Sequence, residues 1–570
     1  MLNQGGHLIR RALSVVLALQ LFAPSRLFSQ TPVAPNPSSD LPSPAIRIST
    51  RLVLLDIVVT DKHGQPITGL QPENFAVAER GKPEKVVFFT PPGRLVPSPS
   101  ALPAGVFSNR AEYRSPGGPP TVILLDVVNT PPQHQAEARL QMLKFAAEQF
   151  KPGNEVAVLT LGNQLDILLD FTTDSHLLQQ ALQRFAAQRP APTNDPPSPA
   201  TPATTTTPGA GLAMARLNVR LDQFENQELT DIIDRRVDQT LAAMRSLGRM
   251  LSGIPGRKNV IWLSAGFPFS LLPQHQVNSP VPGSGLAGAR ARNSKCETSG
   301  CPDPVNNNET MLNPGDQRRY DTDIRNVAAQ LAASEVAIYP VDVRGLEVTP
   351  SSSSYASQQT MEEIARETGG FAFINHNDIH NGVDRVFADH ASSYTIGYYP
   401  RDRNWDGGYR TINVKVDREV AEVRYRRGYF AVDPTSESDK NLNRGLQEAL
   451  RDAVPDTQVT FDAKIASIDN GKTRVEFMLD ASALSAEDTP KGKRLNADFQ
   501  VSILGSDGKT VLSRGMKLDR VVPAATYQQI AEQGLSVHID IEPPSGSGQL
   551  RLAVRDNHTG YVGTLEASLK

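Results

Sequence analysis

The sequence has little cysteine: two in 570 residues, Cys296 and Cys301. They sit close together in a loop rich in Gly, Asn and Pro. A zinc site would need two more ligands, and no paired Cys or His lies nearby. In an oxidising compartment the pair is expected to close a small disulfide, with free thiols as the alternative. Charge of one sign is missing too. The formal net charge is −3 with acids and bases mixed throughout, so the basic footprint of a nucleic-acid binder is absent. Long apolar runs are absent beyond the first thirty residues, so no later segment is expected to span a membrane. The chain has no Gly-x-Ser-x-Gly elbow and no His-Glu-x-x-His motif. Its ten His are scattered, and His376 and His380, four apart without an intervening Glu, read as a surface pair.

What is present begins with a three-part export pattern. His7, Arg10 and Arg11 precede an apolar run from Ala12 to Ala23, and a polar stretch ends near Ser29-Gln30. Residues 1–30 are therefore expected to be a secretory signal, with an uncleaved membrane anchor as the alternative. The expected destination is the medium, the periplasm or the cell surface. An apolar content of 39% and a charged content of 21% suit a folded body, and the length suits about three domains.

Composition shifts divide the rest. Residues 31–46 form a Pro/Ser-rich linker; 47–92 read as a small β unit, with a turn at Asp61-Lys62-His63-Gly64; 93–120 form a second linker. From Thr121, apolar strands alternate with helical stretches. Insertions at about 190–225 and 270–315 are too polar or too rich in Pro, Thr and Gly to bury a core. The alternation predicts a doubly wound, mostly parallel sheet to about residue 432. A connector at 433–456 leads to 457–570, which read as a β-sandwich.

Four ordered pieces carry a resemblance. They are Leu124-Leu125-Asp126-Val127-Val128-Asn129-Thr130; Ile254-Pro255-Gly256-Arg257-Lys258-Asn259 running into Trp262-Leu263-Ser264; Thr368-Gly369-Gly370; and Tyr394-Thr395-Ile396-Gly397-Tyr398-Tyr399-Pro400, completed by Gly408-Tyr409-Arg410 and Arg426-Arg427-Gly428-Tyr429. Together they resemble a von Willebrand factor type A (VWA) domain, and more closely the secreted VWA-related family first described from acidobacteria. The resemblance implies a VWA/Rossmann-like fold and a divalent-cation site at the carboxyl ends of the parallel strands. The family pattern there is Asp-x-Ser-x-Ser, a distant Thr and a later Asp. Here Asp126 matches the first carboxylate, Val128 stands in place of the first Ser, and Thr130 replaces the second. Ser264-Ala265-Gly266 falls where Thr-Asp-Gly would, so Ala265 replaces the last Asp, and the distant Thr falls at Thr240. The implied site is a degenerate one of Asp126, Thr130, Asn129 and Ser264, holding Mg2+ or Mn2+ weakly; the alternative is a metal-free sheet in which Asp126 caps the following loop. Asp126 is expected at an accessible strand end, where its replacement would leave the fold intact.

Three textual matches carry less. Gly283–Gly288 spells a dinucleotide fingerprint but follows no strand, Asn308-Glu309-Thr310 spells a glycosylation acceptor, and Asp402–Gly407 spells the start of a calcium loop. The calcium loop's bidentate Glu position is Asn413, inside a predicted strand, so a hairpin loop is the simpler reading. The function these features favour is binding or scaffolding, to a protein or cell-surface partner. A hydrolase acting on wall or polymer material is the alternative, and no catalytic constellation supports it.

Overall fold

The computed structural model describes residues 52–92, 101–113, 120–148, 150–151, 153–187, 211–267, 314–347, 352–418, 422–432, 439–468, 471–505, 508–544 and 548–569. The expected signal, the 31–46 linker, the Gly283–Gly288 text, the Cys296–Cys301 pair and the Asn308 acceptor lie outside them.

The chain opens with β1 (Val53–Thr60), β2 (Phe75–Glu79), β3 (Lys82–Glu84) and β4 (Val86–Thr90). The turn after β1 forms as the sequence suggests: Asp61 Oδ1 accepts from the amides of His63 and Gln65, each at 2.8 Å. Next comes β5 (Val106–Ser108). The α/β stretch follows: β6 (Pro120–Asp126), α1 (Pro132–Glu148), β7 (Glu155–Leu161), β8 (Leu165–Thr172), α2 (Ser175–Ala187), α3 (Gly211–Ser252), β9 (Lys258–Ser264), α4 (Pro314–Ala333), β10 (Val336–Asp342), α5 (Ser352–Thr368) and α6 (Ile379–Ala391). Helix α3 begins at Gly211, inside the stretch expected as an insertion at about 190–225.

One mixed sheet has the order β10-β9-β6-β7-β8, parallel except for β8, which returns on β7 as a hairpin. Its strands are continuous apolar runs because both faces are covered. Val122, Leu124, Val260 and Trp262 pack with α3, α4 and α5, while Ile123, Leu125, Ile261 and Leu263 pack with α1, α2 and α6. Helix α5 ends at Thr368, and Gly369 follows at φ +79° as its C-cap. Gly370 then passes so close to β10 that a Cβ there would lie 2.0 Å from the Ile338 carbonyl oxygen.

After α6 come β11 (Tyr394–Tyr398), β12 (Tyr409–Val416), β13 (Glu422–Arg424) and β14 (Gly428–Phe430). These strands correct the expectation of a separate unit at 47–92. They interleave with β1–β4 in two sheets, β13-β1-β11-β4 and β14-β12-β2-β3. Leu55, Ile57, Phe75, Val77, Tyr394, Ile396, Ile412 and Val414 share one core. The physical reason is visible in β1, which is buried on both faces, more than about 45 residues could cover by themselves. The Asp402–Gly407 loop therefore crosses from one sheet to the other and is not a hairpin.

The chain ends with α7 (Asp439–Arg451), β15 (Asp462–Ile468), β16 (Lys472–Leu479), β17 (Ala486–Thr489), β18 (Gly492–Leu504), β19 (Thr510–Val522), α8 (Ala524–Gln533), β20 (Leu535–Ile541), β21 (Gln549–Asp556) and β22 (Val562–Ser568). Two antiparallel sheets result, β20-β16-β15-β5 and β17-β18-β21-β22, with β19 added on β18. Their apolar residues form one cluster in which Phe477 meets Phe499 edge-on at 5.4 Å. Strand β5 corrects the reading of 93–120 as a plain linker, because it pairs with β15. Beside it the buried Asn109 accepts from Phe461 N at 2.8 Å and donates to the Val459 carbonyl at 3.0 Å. Among the described residues, no helix is long and apolar enough to cross a membrane.

Candidate functional site

Strand order reverses at β6, whose neighbours β7 and β9 are reached in opposite directions. In open α/β sheets the crevice at such a point, outside the carboxyl ends of the strands, is where ligands bind. Asp126 ends β6 at this place, Ser264 ends β9 and Asp342 ends β10.

The loop after β6 folds back over the Asp126 carboxylate. Its Oδ1 accepts from the amides of Val128 at 3.1 Å and Asn129 at 2.9 Å. Its Oδ2 accepts from Asn129 Nδ2 at 2.9 Å, Trp262 Nε1 at 3.1 Å and Ser264 Oγ at 2.8 Å. Asn129 Nδ2 also donates to Thr240 Oγ1 of α3 at 2.9 Å. Thr130 Oγ1 accepts from Ala265 N at 3.1 Å. The five residues singled out in sequence, Asp126, Asn129, Thr130, Thr240 and Ser264, thus come together in one knot.

The knot is closed. Asp126 is only 2% exposed, which corrects the expectation of an accessible carboxylate at a rim. Burial pushes its carboxyl up, against the hydrogen bonds from Asn129, Ser264 and Trp262 that favour the charged form. Two participants escaped the sequence reading. Trp262 is fully buried, and a buried indole N–H needs an acceptor; Gln135 of α1 fixes the loop by donating to the Thr130 carbonyl at 2.6 Å.

These residues do not fit a divalent cation as arranged. A metal binds through free lone pairs, and both Asp126 oxygens already face N–H or O–H donors. Thr130 spends a lone pair on a backbone amide. Asn129 Oδ1 is buried without a partner, but one neutral oxygen is a poor ligand set for Mg2+ or Mn2+. Among the described residues, no three His, Cys, Asp or Glu stand grouped to hold a metal.

A second knot lies one strand away. Asp342 accepts from Arg344 Nε at 2.9 Å and NH2 at 2.6 Å, and from Gln358 Nε2 at 3.0 Å. Gly266 sits at φ +141° against α5, where a Cβ would fall 2.0 Å from Ser357 Oγ. The text resembling a calcium loop is likewise filled from within: the Arg410 guanidinium donates to the carbonyls of Asp402, at 2.6 Å, and Asn404, and to Glu79 Oε1 at 3.1 Å. His376 stacks on Phe373 with ring centroids 4.6 Å apart.

Solved structures give only distant likenesses. No protein-family model matches the sequence, and no curated protein matches it. A von Willebrand factor type A structure from Catenulispora acidiphila is 9% identical, covering 80% of this chain and 66% of that one, with a TM-score of 0.24. The vWF domain of the type V pili tip protein Mfa5 from Porphyromonas gingivalis is 14% identical over 47% of this chain and 95% of that one, with a TM-score of 0.22. The pilus adhesin SpaC from Lactobacillus rhamnosus GG is 8% identical over 88% and 58%, with a TM-score of 0.26. At these scores the likenesses bear on neither ligand nor activity.

Proposed function

We propose that the chain is an exported binding protein whose VWA-like, doubly wound α/β unit meets a protein or cell-surface partner at the carboxyl ends of its parallel strands. The β1–β4/β11–β14 module and the C-terminal region, read as a β-sandwich, act as its supports. One observation carries this reading. Leu346, just after β10, and Tyr355, in the first turn of α5, are each 58% exposed, while Asp342, Arg344 and Gln358 of the same two segments are bonded to one another. Glu347 Oε1 and Ser354 Oγ lie 3.5 Å apart, so the two segments adjoin. Large apolar side chains exposed on segments whose polar groups satisfy one another favour contact with a partner over chemistry. Binding at this face is proposed to run without Mg2+ or Mn2+.

The test is capture from envelope extract by wild type and by a Leu346→Asp/Tyr355→Asp double variant. The wild type should retain a partner that the variant loses, in EDTA as well as in magnesium. Equal retention by both proteins overturns this surface as the site. Export is tested separately, by N-terminal sequencing of extracellular or periplasmic material: a chain beginning near residue 31 is expected, and one still beginning at Met1 in a membrane pellet refutes it.

A further inference from the structure

Sheet edges expose unpaired N–H and C=O groups, and folds usually shorten or cover them. Several edges of the described residues follow that habit. Strands β3, β13 and β14 have three residues each, and β22 lies beside α7, where Leu446 and Ala449 cluster with Ala553 and Val562. Strand β19 does not follow it. It runs for 13 residues, contains no proline, and is hydrogen-bonded as a strand to β18 alone. Apolar side chains are exposed on both of its faces: Val511 (56%) and Val521 (45%) on one, Leu512 (37%) and Met516 (38%) on the other.

We propose that β19 is the docking edge for a second copy of this chain, paired antiparallel about a two-fold axis at Leu518. Such an axis, perpendicular to the sheet, keeps each side chain on its own face, so it must pass through a residue position. An axis at Lys517 sets Lys against Lys, and one at Asp519 sets Asp against Asp. Axes at Gly515 or Met516 set no opposite charges together. The axis at Leu518 places Lys517 opposite the second copy's Asp519 and Asp519 opposite its Lys517, with Leu518 against Leu518 and Gly515 against Val521. Charges on an edge ordinarily oppose pairing; these are of opposite sign and two residues apart, so they complement a copy of themselves.

The charges are also available. Lys517 makes no ion pair among the described residues, because Asp498, its neighbour across on β18, is taken by Arg555 at 2.5 Å. Asp519 accepts from Arg494 at 2.8 and 2.9 Å, yet its side chain remains 38% exposed.

The experiment is sedimentation of the full chain at tens of micromolar, as wild type, as K517E, as D519K, and as an equimolar mixture of the two variants. Wild type should sediment as a dimer and each variant as a monomer. The mixture should regain the dimer, because the K517E carboxylate then faces the D519K ammonium and Lys517 of one chain faces Asp519 of the other. Far-ultraviolet circular dichroism spectra of both variants should match wild type, since neither side chain is buried, while the dimer should melt higher than either monomer. A monomeric wild type overturns the proposal and leaves the edge to a different protein. A dimer that survives both single reversals overturns it too, because its interface must lie elsewhere.

Discussion

Asp126 and Asp456 are both buried acids pushed up by burial, and they are held in opposite ways. Asp126 is surrounded by five donors on uncharged groups, drawn from its own loop and the neighbouring strand. Asp456 meets a full charge: Arg249 Nε of α3 lies 3.1 Å from both of its oxygens, and Arg249 NH2 reaches Asp452 at 2.5 Å. The first arrangement fixes a loop locally and leaves no lone pair for a visiting cation. The second bridges α3 and the C-terminal sheets, which Thr457 also joins by accepting from Gly253 N at 2.7 Å. One acid is therefore a local clasp and the other a tie between units, and their removal should have different consequences.

The largest effect is expected at the clasp. Asp126→Ala takes the acceptor from the Trp262 indole and from the Val128 and Asn129 amides, while Ser264 Oγ can still donate to the Gly266 carbonyl and Asn129 Nδ2 to Thr240. At about 1–3 kcal/mol for each stranded donor, summed incompletely, the loss should be on the order of 5 kcal/mol in urea unfolding. A loss below about 1 kcal/mol would mean that the cage is dispensable. At the tie, Arg249→Ala strands the Asp456 charge in a buried place and should cost about 3 kcal/mol at neutral pH. That cost should shrink on acidification, because a protonated Asp456 no longer needs the guanidinium. A cost independent of pH would show that Arg249 acts through packing alone.

Asp456 also gives the pH dependence its sign. Its carboxyl is pushed up to about 6 in the folded protein, above the ordinary carboxylate value. The folded state then holds the proton more tightly than the unfolded state, so this group's contribution weakens the fold as pH rises from about 4 to about 6 and is level above that. Two units correspond to at most about 3 kcal/mol. Asp456→Asn should therefore gain stability relative to wild type across that window, measured as the difference between their urea midpoints at pH 4.5 and pH 7. A difference that stays flat would place the titration elsewhere.

The sequence made the central sheet readable because its strands, buried on both faces, are continuous apolar runs. Val122–Leu125 and Val260–Leu263 announce themselves that way, and the helices between them carry a helical apolar period. The site residues could be read for the same reason, since the end of such a strand fixes where Asp126 and Ser264 must lie. What could not be read was partnership across long separations. Nothing local to Leu54 says that it pairs with Gly397, nor that Val106 pairs with Lys464. The burial of β1 on both faces was the available clue: an apolar run in a unit too small to cover it implies strands supplied from elsewhere. Solvent access at Asp126 is likewise not set by its place at a strand end, but by where the buried Trp262 must send its N–H.

The smallest expected effect sharpens the comparison most. If the donors around Asp126 take the place a cation would occupy, millimolar Mg2+ or Mn2+ should leave the melting temperature of the full chain unchanged, because a ligand stabilises only in proportion to its preference for the folded state. Asp126→Asn, which keeps the shape but turns an amide toward Trp262 or Ser264, should cost about 2 kcal/mol and should also be indifferent to metal. The opposite result has one clear form. A rise in wild-type melting temperature with Mn2+ that Asp126→Asn abolishes would require the Asn129 amide to turn its unpartnered Oδ1 inward and Ser264 to release Oδ2. The knot would then be a resting form of a metal site. Without such a rise, the hydrogen bonds from Trp262 and Ser264 do here the electrostatic task that a cation performs where a carboxylate keeps its lone pairs free.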